Sequence, residues 1–210
     1  MIGISLTLPV SAGAESITIA ALGDSLTQGY GLPAEDGFVP QLEAWLSARG
    51  NDVTLINAGV SGDTTQGGLS RVAWTLTPEV DAMIVALGGN DLLRGIDPEV
   101  SRANLDGILS TATGQGVEVL LIGLPAPGNY GPDYKLAFDG MYPDLATQYG
   151  ALHFENFLGP IQARAEEPDA MTRFMQADGI HPSAEGVDLM VEAIGPVVEA
   201  LIAEVQANGS

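Results

Sequence analysis

The stretch Ser16–Leu22, SITIAAL, running into Gly23-Asp24-Ser25, decides how the rest of the chain is read. It is β-branched and apolar almost throughout, and a glycine stops it, which predicts a buried strand followed by a sharp turn. Similar runs recur at Val53–Asn57, Val80–Leu87, Val117–Ile122 and Leu152–Phe154. Between them lie stretches with apolar residues at helical spacing: Phe38–Ala48, Thr64–Leu76, Pro98–Thr113, Tyr134–Tyr149 and Ser183–Gln206, the last with a kink expected at Gly195-Pro196. Strands without polar alternation, separated by helices, predict an α/β fold whose parallel five-stranded sheet is covered on both faces.

Composition narrows the function. The 210 residues carry 27 acidic and 7 basic side chains, a formal charge of −20, and Lys135 is the one lysine. A nucleic-acid partner needs a cationic footprint, and so does an electrostatic anchor on anionic lipid; the chain offers neither. With no cysteine, thiolate metal sites, disulfides and cysteine nucleophiles are excluded, and two histidines leave little for a zinc site. No apolar run reaches the roughly 18 residues of a membrane span, so no stable membrane anchor is expected. Residues 1–14 are mostly apolar and end in Ala12-Gly13-Ala14, a small-x-small pattern. That pattern fits a leader remnant, with a periplasmic or secreted mature domain spanning 15–210. A terminal segment packed on the domain fits the same residues, and a cytoplasmic location stays open because the basic start of a leader is missing.

Ligands of parallel sheets bind beyond the carboxyl ends of the strands, and the chemically distinctive residues fall there. Gly23-Asp24-Ser25 follows the first strand, where a serine on a tight strand-to-helix turn is held clear of the backbone; taken alone, the block more commonly reads as a simple helix cap. Asn57-Ala58-Gly59-Val60-Ser61-Gly62-Asp63-Thr64 follows the second, with Gly59 able to present its amide to an oxygen and Asp63 or Thr64 serving as caps. Gly88-Gly89-Asn90-Asp91 follows the third, and the Asn90 side chain is a neutral donor suited to an oxyanion. Asp178-Gly179-Ile180-His181-Pro182 precedes the last helix, its spacing letting one loop hold carboxylate and imidazole together. His153, inside a strand, reads as a core residue. Gly29-Tyr30-Gly31-Leu32-Pro33-Ala34 nominally fits a dinucleotide fingerprint, but it lies past the strand and Pro33 interrupts it.

These blocks, in this order, resemble those of the GDSL (SGNH) hydrolases. The stretches Thr64-Thr65-x-Gly67-Gly68, Leu92–Gly95, Leu124-Pro125-Ala126 and Asn129-Tyr130-Gly131 extend the likeness to the bacterial thioesterase/lysophospholipase/arylesterase branch. The resemblance implies a flavodoxin-like three-layer α/β/α sandwich acting on a small-molecule acyl ester, with no metal or organic cofactor. It implies Ser25 as nucleophile, His181 as general base, Asp178 as its orienter, and an oxyanion hole from the Ser25 amide, the Gly59 amide and the Asn90 side chain. It further implies a mobile loop at Asp91–Ile96. Leu92, Leu93, Leu124, Pro125, Met141 and Phe174 are expected near the acyl chain, and Arg164–Thr172 is longer than that branch leads one to expect. A carbohydrate O-acetyl esterase, a nucleotide-binding module and a non-catalytic acyl carrier are the competing expectations.

Overall fold

The computed structural model describes residues 16–208; the leader expectation for residues 1–14 lies outside the described residues. Five strands form one sheet: β1 (Ile17–Gly23), β2 (Val53–Gly59), β3 (Ala82–Ala86), β4 (Glu118–Ile122) and β5 (Leu152–Phe154). All pairs are parallel and the order is β2-β1-β3-β4-β5. The helices are α1 (Ser25–Gln28), α2 (Phe38–Ala48), α3 (Thr65–Thr75), α4 (Gly89–Leu93), α5 (Pro98–Thr113), α6 (Pro132–Tyr149), α7 (Gly159–Gln162), α8 (Ala170–Phe174) and α9 (Ala184–Asn208).

Successive strand residues point to opposite faces, so each apolar strand feeds two cores. Ile19, Ala21, Ile84, Leu120 and Ile122 pack under α2 and α9, against Phe38, Leu42, Leu46, Met190, Ile194 and Leu201. Ala20, Leu22, Met83, Val85, Val119 and Leu121 pack on the other face under α3, α5 and α6, against Val72, Leu105, Ile108, Phe138 and Tyr142. Each fully buried Leu or Ile is worth about 1.5–3 kcal/mol of transfer free energy, which is why both helical layers hold to the sheet. The three-layer arrangement expected from the sequence is therefore present.

The edge strand β2 departs from the buried-on-both-faces expectation. Thr54 and Ile56 are exposed while Val53 and Leu55 are buried, because only the α2 side of this strand is covered. Helix α9 continues without interruption across Gly195-Pro196, where Gly195 brings its backbone against the Trp45 ring. Helices α1, α4, α7 and α8 have no counterpart in the apolar periodicity, being too short for it to register.

Topology places the functional crevice. The chain leaves β1 for β2 on one side and then crosses to β3 on the other, so connections diverge at the β1/β3 boundary. Gly23 lies opposite Gly59 on one side and Ala86 on the other. Loops leaving these three strand ends open over a common crevice, the usual ligand position in open α/β sheets.

Candidate active site

Ser25 opens α1 directly after β1, and the backbone there is crowded. A Cβ on Gly23 would meet the Thr27 hydroxyl at 1.9 Å, so only glycine lets the chain double back so tightly. Asp24 caps the helix, its Oδ1 accepting from Leu26 N at 3.0 Å. This leaves Ser25 at the first helical position, its side chain lining the crevice.

His181 reaches the same crevice from the far end of the chain. Its Nε2 lies 2.9 Å from Ser25 Oγ, and its Nδ1 lies 2.7 Å from Asp178 Oδ2. Asp178 Oδ1 also accepts from the amides of Ile180 at 2.9 Å and His181 at 3.0 Å. The His181 bond, followed by these two amides, holds the Asp178 carboxyl down to about 2. An ionised carboxylate at Nδ1 fixes the tautomer that carries a proton there, leaving Nε2 as the acceptor facing the serine hydroxyl. The structure thus brings Ser25, His181 and Asp178 together in series.

Asn90, near the start of α4, spans the crevice floor. Its Nδ2 donates to Asp63 O at 2.9 Å and, over a longer 3.3 Å, to Asp24 Oδ2. Burial pushes the Asp24 carboxyl up to about 6, opposed by the Leu26 amide, the His181 charge and the Asn90 amide. Beneath it, buried Asp91 accepts from Thr65 N at 2.8 Å, Thr65 Oγ1 at 2.6 Å and Ser101 Oγ at 3.0 Å. That network ties α3, α4 and α5 together and anchors the first part of the Asp91–Ile96 segment, which is helical through Leu93.

Gly59 does not face the crevice, and here the sequence expectation is corrected. Its amide donates to Asn57 Oδ1 at 3.0 Å, and a Cβ on it would stand 2.3 Å from Gln28 N. Gly59 lets α1 lie against β2; it is a packing glycine. The crevice wall instead holds Gly62. Val60–Asp63 form a turn closed by Asp63 N donating to Val60 O at 3.0 Å, and Gly62, third in that turn, has φ 81°, which suits glycine. Among the described residues the Gly62 amide donates to no protein group, whereas its carbonyl accepts from Arg94 Nη2 at 2.8 Å. The signal was present in the sequence as Ser61-Gly62-Asp63, a turn bracketed by polar residues, but Gly59 sat closer to the strand end.

Arg71 secures this turn from below. Its guanidinium donates to Asp63 Oδ2 at 2.7 Å, Ala58 O at 2.6 Å and Gly23 O at 2.8 Å, joining the ends of β1 and β2 to the turn. Nothing in the sequence spacing singled it out.

The crevice deepens into a cavity of about 620 Å³, within the usual range for small-molecule sites. Leu92, Leu93 and Leu124 line it as expected. Met141 and Phe174 are core residues, and Pro125 lines a separate depression near Lys135 and His153. Ala165, Ala170 and Met171, from the long Arg164–Thr172 stretch, supply part of one wall. Tyr30, Leu93, Met171 and Ile180 are among the large apolar side chains left exposed, and all four border this cavity. Such a concentration of exposed apolar surface marks a binding site. His153 is half-buried in β5 and lies outside the lining of this cavity; among the described residues its Nε2 has no hydrogen-bond partner, and burial lowers its pKa. Gly29 ends α1 in the left-handed conformation, its amide donating to Ser25 O, so it serves as the helix C-cap.

A serine, an imidazole and a carboxylate in series, at the floor of an apolar cavity, define a serine hydrolase of acyl compounds. The chain belongs to the GDSL-like lipase/acylhydrolase family, whose model matches residues 21–189, and it is a carboxylic ester hydrolase. It is 37% identical to the esterase TesA of Pseudomonas aeruginosa over 88% of this chain and 89% of that protein. It is 34% identical to thioesterase 1/protease 1/lysophospholipase L1 of Escherichia coli K12, over 92% and 90%. Among solved structures it is similar to AlinE4, an SGNH-hydrolase family esterase, with 43% identity, a TM-score of 0.71 and coverage of 90% and 98%. Among the described residues no helix is long and apolar enough to cross a membrane.

Proposed function

We propose that the chain hydrolyses short- to medium-chain acyl esters through an acyl-enzyme on Ser25. The observation that carries this reading is the Ser25–His181–Asp178 series at 2.9 and 2.7 Å on the floor of an apolar cavity. Ser25 Oγ attacks the ester carbonyl as His181 Nε2 takes its proton, and a tetrahedral oxyanion forms. The Ser25 amide, the Gly62 amide and the Asn90 side chain supply donors for that oxyanion. Both Asn90 N–H groups are engaged at rest, and the 3.3 Å bond to Asp24 is the weaker one, so the oxyanion takes that donor. Collapse breaks the ester C–O bond, and His181 returns the proton to the departing alkoxide. Water then repeats the cycle on the acyl-enzyme, releasing the acid and restoring Ser25.

Cavity chemistry supports esters over coenzyme A thioesters. No lysine or arginine is among the lining residues, leaving nothing there to pair with phosphates. The same apolar lining favours acyl chains over the hydroxyl-rich surface of an acetylated sugar. The Ala12-Gly13-Ala14 pattern supports export, with work outside the cytoplasm. The test is a series of p-nitrophenyl esters from acetate to dodecanoate, beside one acyl-CoA and one acetylated sugar, with Ser25→Ala as control. The expected result is a maximum at short to medium chains, lost in Ser25→Ala. Preference for the acetylated sugar, or turnover surviving in the control, overturns the reading.

A further inference from the structure

Ser25 and His181 arrive from opposite ends of the chain, and their 2.9 Å contact needs the two loops held in register. The base loop is shaped from within. Met175 and Pro182 close its neck as an antiparallel bridge, Gln176 N donates to His181 O at 2.8 Å, and Gly179 N donates to Gln176 O at 3.0 Å. With the Asp178 bonds, these fix the loop's own form. They do not fix where it stands against α1.

The Gln176 side chain ties the two backbones together. The Gln176 carboxamide donates to Pro182 O at 2.9 Å, inside the base loop, and to Tyr30 O at 2.7 Å, on the segment that leaves α1. A primary amide has two N–H groups, and these two carbonyls use both. The facing backbone is built to admit it: Gly31 has φ 78°, and a Cβ there would stand 2.3 Å from Gln176 Oε1. The Tyr30 ring, carried by the same segment, packs on the His181 imidazole with centroids 4.7 Å apart. The Gly29-Tyr30-Gly31 motif thus faces the base loop. We propose that Gln176 is a positioning residue: its carboxamide, seated against Gly31, sets the register between the Ser25 helix and the His181 loop. This rests on the Ser25–His181 acyl-transfer reading.

The test compares Gln176→Ala, Gln176→Glu, Gly31→Ala and the double variant Gly31→Ala/Gln176→Ala on a p-nitrophenyl ester, with Ser25→Ala alongside. Folding is checked by thermal melting, and assays run well below every midpoint. A carboxylate at 176 cannot donate to either carbonyl, so Gln176→Glu should not rescue. Each Gln176 variant is expected to lose roughly 10- to 100-fold in kcat with KM nearly unchanged, the scale of small misplacements of reacting groups. Fluorophosphonate labelling should slow in parallel. Gly31→Ala should cost as much in kcat alone but less in the Gln176→Ala background, where the clashing atom is gone, while the melting midpoint falls in both backgrounds because φ 78° strains any side chain. Full kcat in folded Gln176 variants, a loss confined to KM, a lowered midpoint with unchanged kcat, or full additivity with Gly31→Ala would each overturn the proposal. Activity surviving in Ser25→Ala would instead overturn the acyl-transfer reading beneath it.

Discussion

Replacing Arg71 with Met keeps most of the side chain's length and apolar stem and removes its five N–H donors. Three bonds go: to Asp63 Oδ2, Ala58 O and Gly23 O. Gly23 O keeps a bond from Val60 N at 3.0 Å, so the main cost falls on Asp63, whose carboxylate loses its cation. Removing one partner of a buried pair costs roughly 3–5 kcal/mol. Here the side chains are 22% and 16% exposed, and partial hydration brings the expectation to about 3 kcal/mol. For a chain of this size that lowers the thermal midpoint by roughly 6–12 °C. The catalytic effect is separable, because Asp63 O receives Asn90 Nδ2 and Asp63 closes the turn that presents Gly62. With the turn loosened, kcat should fall about 10- to 100-fold. The discriminating assay measures inhibition by a trifluoromethyl ketone, whose adduct mimics the oxyanion, beside inhibition by the product carboxylic acid. The ketone should weaken in step with kcat while the acid changes little. Arg71→Lys should not restore either property, since a point charge cannot fork to three acceptors. A folded Arg71→Met protein with its midpoint within about 2 °C and ketone affinity unchanged would refute the reasoning.

Asn90→Ala should lower kcat by about 10²–10³-fold with a small change in KM, the usual cost of losing one oxyanion donor; steady-state kinetics decides this. Asp24 gives a pH signature. Its carboxyl is pushed from 3.8 up to about 6 by burial, so the folded chain binds a proton that the unfolded chain has not yet taken up. Ionised Asp24 therefore opposes folding by about 3 kcal/mol above pH 6, and the opposition is relieved as pH falls towards 4. Denaturant melts of Asp24→Asn should show it gaining on the parent protein between pH 4 and pH 8; a difference independent of pH contradicts the assignment. Asp178, held down to about 2, acts with the opposite sign and only below pH 4, outside that window.

The fold was legible because parallel strands buried on both faces leave an unmistakable apolar run, as in Ile17–Gly23 and Ala82–Ala86. The edge strand β2 was legible as a strand but not as an edge, since its exposed Ile56 is as apolar as a core residue. The Ser25–His181–Asp178 series was legible because each of its members follows a strand end or precedes a helix in a short, ordered block. The proposed second amide donor, Gly62, was not, because Gly59 and Gly62 look alike in sequence. Only backbone placement distinguishes a glycine under a helix from one in the third position of a turn facing the cavity. Arg71 and Gln176 were invisible for a related reason. Their work is done by reaching across 48 and 146 residues to backbone carbonyls, and carbonyls leave no trace in the choice of side chain.

Covalent labelling tests the central claim most directly. Treated with a fluorophosphonate, the protein should gain a single adduct that peptide mapping by mass spectrometry places on Ser25, and Ser25→Ala should gain none. An adduct on another residue, or labelling of Ser25→Ala at the parent rate, would contradict the account.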